Sequence, residues 1–131
     1  MRFAIVSDLH SNLQAWNAVL LDIRSQKLDR IICLGDVVGY GPDPAEVLRS
    51  VHANVNHLVL GNHDAVVCGK MDETLFNESA RQIIDWTRGQ LNREARRFLG
   101  SLPLSLDAGL FRCAHGDFSE PGAFNHATEA K

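Results

Sequence analysis

Three short apolar runs, each broken off by a cluster of polar residues and glycine, constrain this chain more than any other feature. Phe3 to Val6 leads into Asp8-Leu9-His10, Arg30 to Leu34 into Gly35-Asp36, and His57 to Leu60 into Gly61-Asn62-His63-Asp64. The segments between them have helical periodicity. Ser11 and Gln14 have capping-box spacing, and Leu13, Trp16, Val19, Leu20 and Ile23 then share one face. Asp43-Pro44-Ala45-Glu46 supplies a cap, an N1 proline and an N3 glutamate. Strand, helix, strand, helix, strand is the signature of a parallel sheet covered by helices, an α/β fold. The sequence predicts a buried strand at 3–6, a helix over about 11–26, and further strands at 30–34 and 57–60.

The second half is less regular. Residues 65 to 76 have weak periodicity and carry Gly69, which predicts a loop or a short helical excursion. Helices are expected over 77–88 and 92–99, interrupted at Gly89, with Ile83, Ile84, Trp86, Leu91, Phe98 and Leu99 as their apolar contacts. Arg93, Arg96 and Arg97 read as a solvated helix face. Short strands are expected near 104–106 and 110–114, and the tail 127–131 has no element to complete.

A chain of 131 residues, 45% hydrophobic and 22% charged, can close one core, so a single domain spanning 1–131 is expected. Sixteen acidic against thirteen basic residues give a net charge of −3, without the footprint of a stable nucleic-acid partner or an anionic membrane surface. No apolar run approaches the ~18 residues of a membrane span. Cys33, Cys68 and Cys113 are odd in number and lack metal or redox spacing, which predicts buried reduced thiols and a cytoplasmic protein.

In a parallel α/β sheet the carboxyl ends of the strands share one edge, where ligands bind. His10 to Asp36 and Asp36 to Asn62 are each 26 positions apart, and the strand-end clusters should converge there. His115, after the late run ending at Ala114, is the next candidate for that rim. Asp8 and His10 can bind one divalent metal together, and Asp36 has two carboxylate oxygens with which to bridge two ions. Asn62 offers a neutral amide oxygen and His115 a second imidazole. Two divalent ions against Asp8 and Asp36 leave a positive surplus suited to a phosphoryl oxyanion and to a metal-bridging hydroxide, because metal binding lowers the pKa of water towards about 7. His63 can protonate the leaving oxygen or stabilise its charge, and Asp64 either orients His63 or caps the next turn. Tyr40 either lines the site entrance or packs its loop. Singly, each motif also has a bland reading as a cap or a turn.

Taken in order, Asp8-x-His10, Gly35-Asp36-x-x-Gly39, Gly61-Asn62-His63-Asp64 and His115 resemble the calcineurin-like metallophosphoesterase superfamily. The strings Ser7 to Leu13 and Gly35 to Pro44 resemble its bacterial branch of small phosphoesterases. The resemblance implies a four-layer α/β/β/α sandwich and a metal-dependent hydrolase of phosphate mono- or diesters. It implies two divalent ions, manganese first, with iron, zinc or nickel as alternatives. Asp8 and His10 would bind the first metal, Asp36 both, Asn62 and His115 the second, and His63 would assist phosphoryl transfer. The family also has a later Gly-His-x-His motif that residues 116–131 do not match. The resemblance therefore implies one imidazole fewer at each metal and a sandwich incomplete at the C-terminus. His126 reads as an exposed tail residue. A shortened chain also admits a non-enzymatic metal- or phosphate-binding remnant, and apolar sheet left exposed would favour a homodimer.

Overall fold

A computed structural model describes residues 1–126; the tail for which the sequence predicts no element lies outside the described residues. Strands β1 (Phe3–Val6), β2 (Arg30–Cys33) and β3 (His57–Leu58) form a parallel sheet in that order. Its register pairs Ile5 with Ile32 and Val6 with Cys33, then Cys33 with Leu58. Helices α1 (Leu13–Ser25) and α2 (Pro44–Asn54) make the two crossovers. Trp16, Leu20, Val47, Val51 and Cys33 belong to one buried cluster, which also takes in Val37 and Val38.

Helix α1 starts later than the capping-box spacing predicts. Asn12, not Ser11, is its N-cap, with the Asn12 side chain accepting from the Ala15 N–H at 3.0 Å. Ser11 is buried in a left-handed turn with φ of 56°, so its hydroxyl is not the cap. The expected buried strand at 3–6 is buried on one side only. Val6 packs toward the helical core, whereas Ile5 on the alternate face is 53% exposed and Phe3 meets the ring of Phe111 edge-on at 5.2 Å.

The segment 65–76, expected as a loop or a short helical excursion, takes in the end of helix α3 (Asn62–Val67) and a short 3-10 turn at Glu73–Leu75. Helix α4 (Glu78–Gln90) runs through Gly89, and the break falls at Leu91, ahead of α5 (Arg93–Gly100) with its Asn92 cap. In α4, Ile84 and Thr87 face inward together with Leu91 beyond it, which leaves Trp86 exposed and not in the core as the sequence suggested. Arg93, Arg96 and Arg97 are exposed. Strands β4 (Ser105–Asp107) and β5 (Arg112–Ala114) pair antiparallel as a second sheet. Helices, a parallel sheet and a second sheet give the mixed α/β architecture the sequence predicts. After β5 the described residues hold one short 3-10 turn, Pro121–Ala123, so the outer helical layer of the implied sandwich is not among them. Cys33 and Cys113 are buried and Cys68 is half-buried, all three free thiols. Burial pushes the Cys33 thiol up to about 12. Among the described residues no helix is long and apolar enough to cross a membrane.

Candidate metal centre

The chain leaving β1 lies alongside the chain leaving β2. Asp8 N–H donates to the Gly35 carbonyl at 3.0 Å, His10 N–H to Asp36 at 3.0 Å, and Ser11 N–H to Val37 at 2.9 Å. This pairing holds Asp8, His10 and Asp36 at φ of 56°, 45° and 54°, a left-handed backbone that costs non-glycine residues about 1 kcal/mol or more each. Gly61 lets the third turn press against the second, since a Cβ there would come within 2.9 Å of the Asp36 Cγ.

The side chains converge. His10 Nε2 lies 3.5 Å from Asp8 Oδ1 and 3.6 Å from Asp36 Oδ2. His115 Nε2 lies 3.4 Å from the same Asp36 Oδ2 and 3.0 Å from Asn62 Oδ1. Bonds of ~2.0–2.2 Å to one ion place neighbouring donors about 3.0–3.6 Å apart, so both groups of donors fit a divalent metal. Asp8, His10 and Asp36 offer donor atoms within 4.8 Å of one another. The sequence suggested that Asp36 could bridge with its two oxygens; the structure turns Oδ2 alone toward both histidines, while Oδ1 accepts the His63 backbone N–H at 3.0 Å. His115 follows the late run ending at Ala114, as the sequence suggests, and that run is β5 of the second sheet.

Backbone carbonyls orient both imidazoles. His10 Nδ1 lies 3.2 Å from the Val38 carbonyl and His115 Nδ1 lies 2.8 Å from that of Leu34. Donation by each Nδ1–H turns the Nε2 lone pair toward the metal position. Ser7 Oγ donates to Asp8 Oδ2. These partners escaped sequence reasoning because a carbonyl carries no residue signature; Ser7, adjacent to Asp8, was the one readable hint. Asp64 does not orient His63. Its carboxylate accepts from Val38 N–H and from Gly61 N–H, both at 3.1 Å, which is the capping role. The His63 ring lies 4.6 Å from Tyr40, 5.0 Å from His10 and 5.4 Å from Phe76. His126 is exposed.

Burial works against the charged form of His115, but its hydrogen bond to Asp36, the Asp36 charge and the Leu34 carbonyl together raise its pKa to about 9. A metal taking His115 Nε2 therefore displaces a proton at neutral pH. Affinity at that position should rise about tenfold per pH unit up to about 9 and then level off. Calorimetry near neutral pH, in buffers of differing ionisation enthalpy, should read a proton release on metal binding that His115→Ala lowers by about one. Unchanged proton release in His115→Ala would remove His115 from the metal set. In the metal-free protein the raised pKa has the opposite effect on the fold. Its stabilisation is complete below the ordinary histidine value of 6.5 and is lost as pH rises through about 9.

Comparison with known proteins accords with this geometry. A family model described as calcineurin-like phosphoesterase matches residues 1–130. An uncharacterised protein of Methanocaldococcus jannaschii is 44% identical over 108 residues, which cover 82% of this chain and 44% of that protein. The symmetrical bis(5'-nucleosyl)-tetraphosphatase of Erwinia tasmaniensis is 32% identical over 101 residues, covering 66% of this chain and 37% of that enzyme. The crystal structure of a metallophosphoesterase from Sphaerobacter thermophilus superposes with a TM-score of 0.78 at 41% identity, covering 92% of this chain and 49% of that one. The chain thus spans less than half the length of these relatives. A model matched over nearly every residue, together with strand-end donors placed for metal, makes this chain a member of the calcineurin-like phosphoesterase family.

Proposed function

We propose that the chain carries a dinuclear metal site that hydrolyses phosphate esters. The observation that supports this reading is the single oxygen, Asp36 Oδ2, placed between His10 Nε2 and His115 Nε2. Asp8, His10 and Asp36 would hold one divalent ion and Asp36, Asn62 and His115 the other, three protein donors each, which leaves positions open as catalytic sites require. When bound, the ions would supply Lewis acidity toward a phosphoryl oxygen and an activated water.

The chain's own residues supply orientation and hydrogen bonding. His63 N–H fixes Asp36 Oδ1, so the carboxylate that would bridge the two ions cannot rotate freely. The His63 ring lies against Gly39, where a Cβ would meet its Nδ1 at 2.9 Å, so only glycine leaves room for the ring there. Burial lowers the His63 pKa, with His10 and His115 adding to the effect against the pull of Asp36. A neutral imidazole is thereby favoured, so His63 would act chiefly as an N–H donor to the charge developing on the leaving oxygen. His63→Gln should lower kcat about a hundredfold with metal content unchanged. Equal kcat in the two proteins would assign His63 a structural role.

The test is hydrolysis of an aryl phosphomonoester and an aryl phosphodiester during a manganese titration, with metal counted on the same protein. Metal-dependent turnover with close to two ions per chain is expected. One ion or none, without turnover by folded protein, would identify a non-enzymatic remnant instead.

A further inference from the structure

Two exposed aromatic side chains share a cavity next to the metal centre, and one of them, Tyr40, packs directly on two of that centre's histidines. Tyr40 is 58% exposed and Trp86 46% exposed, and both line one cavity of about 550 Å³. Tyr40 sits in a left-handed turn with φ of 58°, which presents its ring beside His63 at 4.6 Å and His10 at 4.9 Å. On the opposite wall Ser79, Gln82, Ile83 and Trp86 fall at helical spacing along α4, a stripe that faces the Tyr40 loop and not the core.

We infer that this cavity is a nucleobase subsite, in which Tyr40 and Trp86 stack on the base of a nucleotide ester whose phosphate reaches the metal centre. The inference rests on the phosphoesterase reading and adds the substrate class. Flat aromatic groups bind aromatic side chains through their faces, and a base also presents donors and acceptors at its edge. The Gln82 amide and the Ser79 hydroxyl supply both kinds of partner. The volume lies within the range of small-ligand sites, and Tyr40 belongs to both compartments, so a bound base stays close to the phosphoryl position.

The experiment reads binding and needs no turnover, so its outcome is separate from whether the site hydrolyses esters. Trp16 is buried and donates to Ser50 at 2.8 Å, which leaves Trp86 as the solvent-accessible tryptophan. AMP should quench tryptophan fluorescence, with an affinity about tenfold or more above that of ribose 5-phosphate, which lacks the base. By calorimetry, Trp86→Ala should bring AMP down to the ribose 5-phosphate level and Trp86→Phe should restore most of the difference. Equal affinity for AMP and ribose 5-phosphate would overturn the proposal. An unchanged AMP affinity in Trp86→Ala would also overturn it. Phosphotyrosine binding as tightly as AMP would do so in favour of an aryl-phosphate site.

Discussion

Asp36→Asn is expected to lower metal-dependent phosphoester hydrolysis by at least about a thousandfold, ~4 kcal/mol of barrier, while the chain stays folded. The asymmetry of the carboxylate is the reason. Oδ1 accepts the His63 N–H at 3.0 Å, and an asparagine carbonyl can take over that bond, so the start of α3 keeps its anchor. Oδ2 faces His10 and His115 at 3.6 and 3.4 Å, and an amide NH2 there would replace an anionic donor by a group with no lone pair for a metal. On the proposed reading both metal positions would share this oxygen, so one substitution should empty or loosen both. Neither single-position change, Asp8→Asn nor His115→Ala, should do as much. Turnover and metal content measured on Asp36→Asn and the unaltered chain, prepared identically, check the expectation. Equal activity in the two preparations would trace the hydrolysis to a contaminant or to a site elsewhere on the protein.

What the sequence disclosed and what it hid have physical explanations. The strand-end clusters were legible because β1, β2 and β3 are parallel, so that a polar residue just past each apolar run reaches the same edge. His115 was found from its position after an apolar run, but that run is β5 of the other sheet. Its link to the rim is a hydrogen bond to the Leu34 carbonyl, which no residue pattern encodes. The sequence left loop and short helix open at 65–76 and missed the start of α3 at Asn62, because six residues are too few for a period and Ala65, Val66 and Val67 are all buried, which erases the amphipathic stripe. Gly89 read as a break because propensity disfavours glycine in a helix, yet packing of Ile84, Thr87 and Leu91 carries α4 to Gln90. Trp86 read as core by residue type. The face it occupies was fixed by which neighbours α4 packs on, and that information is not local.

Asp64→Ala is expected to destabilise the fold by about 3 kcal/mol, a drop of roughly 10 °C in Tm. Asp64 is fully buried, and its two carboxylate oxygens accept from Val38 N–H and Gly61 N–H. Removing it strands two buried donors, each worth about 1–3 kcal/mol when left unpaired. It also releases the turn after β2 from the start of α3. Because the Val38 carbonyl holds His10 Nδ1, loosening that turn should weaken metal affinity about tenfold as well. Burial, and then the charge of Asp36, raise the Asp64 carboxyl to about 6. A carboxyl raised in the folded state binds its proton more tightly there than in the unfolded chain, so the fold loses stability as pH rises from about 4 to about 6. Asp64→Ala should flatten that part of the pH–stability curve while lowering the whole of it. Thermal unfolding of metal-free protein across this range measures both effects. A midpoint unchanged by Asp64→Ala would show that the turn and the helix start are held together without this carboxylate, and the steep segment persisting in the variant would assign the titration to another group.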